Sequence, residues 1–144
     1  MVAVVGREVV TESELWVEAR IELARRHGDA IQVELDAAFL ESFLDYLISQ
    51  LLIDAQARRA GITDVSESDL EREVETLQKQ FRSLEAFQAF LRRSDISIDL
   101  LRSSLRRALR VIRFTDERLR SRLRISGTSR EQALRDWLSE LRRT

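Results

Sequence analysis

At 144 residues, 44% hydrophobic and 34% charged, the chain is about one domain long and lies outside the low-hydrophobicity, high-net-charge regime in which chains stay unfolded. It has no cysteine, which excludes disulfides, thiolate metal sites and cysteine nucleophiles, and its one histidine, His27, is too little for a histidine metal site. The net charge of −1 conceals a division: residues 1–90 carry 9 basic and 18 acidic groups, residues 91–144 carry 15 and 7, so the two halves are expected to attract each other.

The chain has no proline, and its four glycines, Gly6, Gly28, Gly61 and Gly127, are the natural breaks between long helices. Val2, Val4 and Val5, then Gly6-Arg7, then Val9 and Val10 read as a short β-branched ribbon around a turn. Thr11 and Glu14 have capping-box spacing and open a first helix carrying Leu15, Trp16, Ala19 and Leu23, which ends at His27-Gly28. Ile31, Val33 and Leu35 alternate as an extended segment would.

A second helix is predicted from about Asp36 to Ala60. Phe39, Phe43, Tyr46, Leu47, Leu51 and Ala55 follow a 3.6-residue period, and Leu44, Ile48 and Leu52 add another stripe, so this helix should sit at the centre. Ser66 and Asp69 start a third helix with Leu70, Val74, Leu77 and Phe81 on one face. Ser83 starts a short fourth with Leu84, Phe87, Phe90 and Leu91.

Asp95 or Ser97 caps a long fifth helix bearing Ile98, Leu101, Leu105, Ala108, Ile112, Leu119 and Leu123. After Gly127, Ser129 and Gln132 form a further capping-box pair ahead of Ala133, Leu134, Trp137, Leu138 and Leu141. The expected fold is mainly α, a compact bundle of about six helices with a small N-terminal β-ribbon. Residues 1–144 are expected to form one domain, the last helix (129–143) packing back on the body.

Candidate chemistry is sparse. His27 beside Gly28 is placed as a residue that interacts with the carbonyl end of a helix. Asp64, Ser66, Ser68 and Glu75 match positions 1, 3, 5 and 12 of a calcium loop, but Asp69 stands where glycine is needed and Arg72 where a ligand belongs, so a capped helix is the better reading. Arg102, Arg106, Arg110 and Arg113 form a stripe that could track phosphates. The chain is not basic overall and has an acidic half to pair with it, so nucleic acid is not the expected partner. No run of apolar residues reaches the roughly 18 of a membrane span, and the first residues lack the order of a signal peptide.

Val5-Gly6-Arg7-Glu8-Val9-Val10-Thr11-Glu12-Ser13-Glu14-Leu15, the apolar helix closing at Leu47 to Ile62, the start Val65-Ser66-Glu67-Ser68-Asp69-Leu70, a Phe-rich short helix and an Arg-rich helix ending Arg118-Leu119-Arg120-Ser121-Arg122-Leu123 follow in an order that resembles the N-terminal domain of SurA-type periplasmic chaperones. Members commonly carry parvulin peptidyl-prolyl isomerase domains between the Arg-rich helix and a final helix. Here only Ile125-Ser126-Gly127-Thr128 intervenes, four residues that cannot hold a parvulin fold.

The resemblance implies a chaperone module of the periplasm or cell envelope, without isomerase activity or cofactor. It would hold unfolded or extended segments of outer-membrane proteins in an apolar groove beside the third and fourth helices. Leu77, Phe81, Leu84, Phe87, Phe90 and Leu91 are the residues expected to line that groove. An assembly role, in which a second copy fills the same apolar face to make a homodimer, is the alternative.

Overall fold

The computed structural model describes residues 3–5, 8–28, 35–62, 64–126 and 129–143. Strands β1 (Ala3–Val5) and β2 (Glu8–Val10) are followed by six helices: α1 (Glu12–His27), α2 (Ala37–Arg59), α3 (Glu67–Lys79), α4 (Leu84–Arg93), α5 (Ile98–Ser126) and α6 (Arg130–Arg143). The strands pair antiparallel with Val4 opposite Val9 and Val5 opposite Glu8, which is the expected ribbon.

The helix starts follow from local side-chain chemistry. Thr11 and Glu14 form the full capping box, and Asp36, Ser66 and Ser83 each accept a backbone N–H of the first turn. Of the two candidates for α5, Ser97 does the work, its hydroxyl accepting from Leu100 N–H. Ser129 caps α6 through Gln132 N–H, but the Gln132 side chain turns to Asp136, so only half of that box forms. The extended segment expected around Ile31 and Val33 lies outside the described residues, as do Gly6 and Gly127.

Gly28 closes α1 with φ 56°, its N–H donating to the Ala24 carbonyl. A Cβ there would meet the Gln80 carbonyl oxygen at 2.1 Å, so glycine lets the end of α1 press directly on the backbone beyond α3. His27 is exposed at that end, beside Arg25 and Arg26 in the last turn.

Three apolar clusters fill the interior. The first joins Ile21 and Ala24 of α1 to Leu70, Val74 and Leu77 of α3, Phe81, Phe87 and Phe90, Ile96, and Leu101 and Leu105 of α5. The second joins Ile53 and Ala57 of α2 to Val111, Phe114 and Leu119 of α5 and to Ala133, Trp137 and Leu141 of α6. The third seats the ribbon through Val5 and Val10 on Leu15, Ala19, Phe43, Leu47 and Leu51.

Helix α2 is central as expected, meeting β1, α1, α5 and α6. Its 23 residues bury two faces, with Phe43, Leu47 and Leu51 toward the ribbon and Ile53 and Ala57 toward α6. The buried line of α5 differs from the expected one. It runs through Leu101, Leu105, Val111, Phe114 and Leu119, while Ile98 and Ile112 are exposed. The reason is that α5 serves two cores: Leu101 and Leu105 face the first, while Val111, Phe114 and Leu119 face the second, so the buried face turns toward α2 and α6 and leaves Ile112 outside.

Candidate functional site

The six residues expected to line a groove do not form one surface. Phe87 is 1% exposed, and Leu77, Phe81 and Phe90 are also buried in the first cluster. Phe81 meets Phe87 edge-on at 5.4 Å and lies 5.3 Å from Phe90 at a tilted angle. Such aromatic contacts add to the gain from burial alone. Leu91 packs partly buried on the same cluster, and Leu84 alone projects outward, 57% exposed.

The inward turn has a physical cause. Helix α4 has ten residues and one apolar face, and that face closes the first core; turning it outward would forfeit roughly 25 cal/mol for each Å² of apolar area. The closely spaced phenylalanines therefore mark a structural seam, and the accessible apolar surface lies beside them.

That surface is a cleft of about 350 Å³ lined by Trp16, Arg20 and Leu23 of α1, Leu35, and Phe90, Arg93 and Ser94 of α4 and its end. Phe90 thus belongs to the core and to the cleft wall. The Arg20 guanidinium lies over the Trp16 ring, 5.4 Å from its centroid. A guanidinium over an aromatic face is attracted to it without spending its N–H donors.

A second cleft, of about 310 Å³, opens where α1, α2, α3 and α5 meet and is lined by Glu22, Arg25, Arg26, Tyr46, Glu73, Thr76, Leu77, Gln80 and Ile112. It is polar and internally paired, since Glu22 binds Arg25 at 3.5 Å and Arg26 at 2.9 Å. Burial, reinforced by the Glu22 carboxylate, pushes the Tyr46 hydroxyl above its usual pKa, so it stays a neutral phenol.

The arginine stripe of α5 is spent within the molecule. Arg102 binds Glu67 and Glu71, Arg106 binds Glu67, Arg107 binds Glu18 at 2.6 Å and Arg113 binds Asp69 at 2.5 Å. Arg110 enters the interior, where its Nε donates at 2.5 Å to Asp54, a carboxylate 1% exposed that also takes Arg58 at 2.8 Å. All of these acids belong to the first half, so the charge division of the sequence becomes a zipper between α5 and the elements beneath it.

Three charged groups on α3 and α5 also answer the calcium reading. Residues 67–79 are helical, Ser66 is the N-cap, and Asp69 is held by Arg113, Ser66 and Arg72, which lower its pKa to about 2. Among the described residues no group of three or more His, Asp or Glu side chains is placed to hold a metal ion. None of their helices is long and apolar enough to cross a membrane.

Residues 1–115, from the ribbon into α5, match the family model of the SurA-like N-terminal domain. The chain belongs to that family. Among curated proteins, Chaperone SurA of Chromobacterium violaceum is 28% identical over 136 residues, which cover 94% of this chain and 32% of the relative. This SurA-like chain thus spans about a third of that protein's length. No solved structure matches it. Both clefts are built mainly within the matched residues, whereas α6, which completes the second core, lies beyond them.

The sequence pattern sets Trp16 beside Leu15, Ala19 and Leu23 on α1 and gives Arg20 no evident role. The missed signal is that Arg20 has no acid three or four residues away: those positions hold Trp16, Val17, Leu23 and Ala24.

Proposed function

We propose that this SurA-like domain is a chaperone module of the cell envelope that holds extended, apolar segments of unfolded outer-membrane proteins and performs no isomerisation. The observation that carries the reading is an accessible cleft with an apolar wall, Trp16, Leu23, Leu35 and Phe90, in a chain whose family and relative are those of a chaperone. Apolar burial with few directional contacts tolerates varied sequence, which suits a holdase.

The phenylalanine seam supports the cleft from behind. Phe81, Phe87 and Leu77 fix Phe90 in place. Between α5 and α6 the chain has only Gly127, Thr128 and Ser129, so no isomerase domain is inserted at that point.

The test is aggregation of a urea-denatured outer-membrane barrel protein on dilution, followed by light scattering. Scattering should fall as this domain is added, and the effect should persist at high salt because apolar contacts are not screened. Unchanged scattering at a several-fold excess of the domain would remove the reading. A protective effect abolished by salt would replace it with an electrostatic one.

A further inference from the structure

We infer that the cleft between α1 and α4 captures the C-terminal residue of a polypeptide, taking its free carboxylate on Arg20 and Arg93 and its apolar side chain against Trp16, Leu23 and Phe90. The inference rests on the polypeptide-binding reading and adds a ligand end to it. Many arginines of this protein are engaged by acids: Arg25 and Arg26 on α1 share Glu22, and five arginines of α5 take carboxylates from the first half. Arg20 and Arg93 are among those that are not. No described residue forms an ion pair with either, and both line one cleft with an aromatic wall.

Arg93 alone would be accounted for by its place in the last turn of α4, where cations offset the carbonyl end of the helix. Arg20 lies inside α1 and has no such account. Its guanidinium carbon lies over the Trp16 ring, a contact that places the charge at the aromatic wall without using the N–H donors that would meet a carboxylate. Cation and aromatic surface are therefore neighbours, close enough for one residue to touch both.

That proximity favours a chain end over an internal acid. In an extended segment adjacent side chains point to opposite faces, and the nearest that share a face are about 7 Å apart along the chain. At a C-terminus the carboxylate and the apolar side chain branch from one Cα. The volume of about 350 Å³ is at the small end of ligand pockets and suits one large residue and its carboxylate, with the preceding chain leaving across the surface.

The experiment uses two fluorescein-labelled peptides of one sequence ending in Phe, one a free acid and one a C-terminal amide, titrated with the full chain and followed by anisotropy. The free acid should bind about 10- to 100-fold more tightly, the worth of a charge-assisted pair lost on amidation. Arg20→Gln and Arg93→Gln should each shrink that ratio, and together abolish it, with the far-UV circular dichroism and melting curve unchanged. Equal binding of acid and amide would overturn the inference and leave polypeptide binding standing. Absence of binding by both peptides, in a preparation that still suppresses aggregation, would also overturn it. A ratio that survives both substitutions would move the carboxylate elsewhere and overturn the assignment.

Discussion

Replacing Arg110 by methionine removes the main partner of the most deeply buried carboxylate described in this protein. Asp54 is 1% exposed and faces Arg110 across the α2–α5 contact at 2.5 Å, with Arg58 at 2.8 Å on its other oxygen. Breaking a buried ion pair from one side costs about 3–5 kcal/mol, because the remaining charge is left without compensation. Arg58 stays in place, but its side chain is half-exposed and holds the carboxylate from the solvent side, so the loss should fall near the lower end, about 3 kcal/mol.

For a chain of this size that is a fall in Tm of roughly 10 °C. The double replacement Asp54→Leu plus Arg110→Met takes away both charges, and by the same reasoning should lie within about 1 kcal/mol of wild type. Urea denaturation of the wild type, both single variants and the double variant gives the coupling directly. If Arg110→Met lies within about 0.5 kcal/mol of wild type, or the two substitutions simply add, the zipper between α2 and α5 does not hold the fold in the way described.

Phe87→Ala should destabilise by about 3–5 kcal/mol, as for a large ring removed from a closed core, and any loss of polypeptide binding should track the fraction unfolded in the same circular dichroism sample. Gly28→Ala should cost at least about 2 kcal/mol in urea, combining a positive φ with a Cβ driven into the Gln80 carbonyl. Gly61→Ala, at φ 75° but with open space around it, should cost only the conformational part, about 1 kcal/mol. Asp69 ionises at about 2 in the folded chain against 3.8 in its ordinary state, so its contribution is present above about pH 4 and is lost as pH falls toward 2. Asp69→Asn should flatten the acid limb of a Tm-against-pH curve in that window, and an unchanged limb would show that Arg113 does not hold the carboxylate.

Much of the architecture was legible because its signals are local. The hydroxyl or carboxylate before each apolar run marked where a helix begins, and Gly28 marked the end of α1. The site was less legible because one apolar pattern serves two outcomes. Phe81, Phe87 and Phe90 are spaced as a binding face would be, yet their rings close the first core, and only packing distinguishes the two. The buried face of α5 passes to Val111 and Phe114 instead of Ile112 for a related reason: the helix leaves one core for a second, which is visible only once α2 and α6 are in place.

Asp54 could have been found. It continues the line Leu47, Leu51 by three residues, a carboxylate on an apolar stripe, which requires a buried cation opposite. Arg20 left the opposite trace, an arginine with no helical acid in reach, and its meaning came only with the aromatic wall beside it.

Binding of polypeptide at the cleft between α1 and α4 is read most directly by a ¹H–¹⁵N NMR titration of the isotope-labelled chain with an unfolded outer-membrane polypeptide. Saturable shifts should gather on Trp16, including its indole N–H, Arg20, Leu23, Leu35, Arg93 and Ser94, while the Trp137 indole in the second core stays still. No saturable shift, or shifts confined to α6 and the second half of α5, would contradict it.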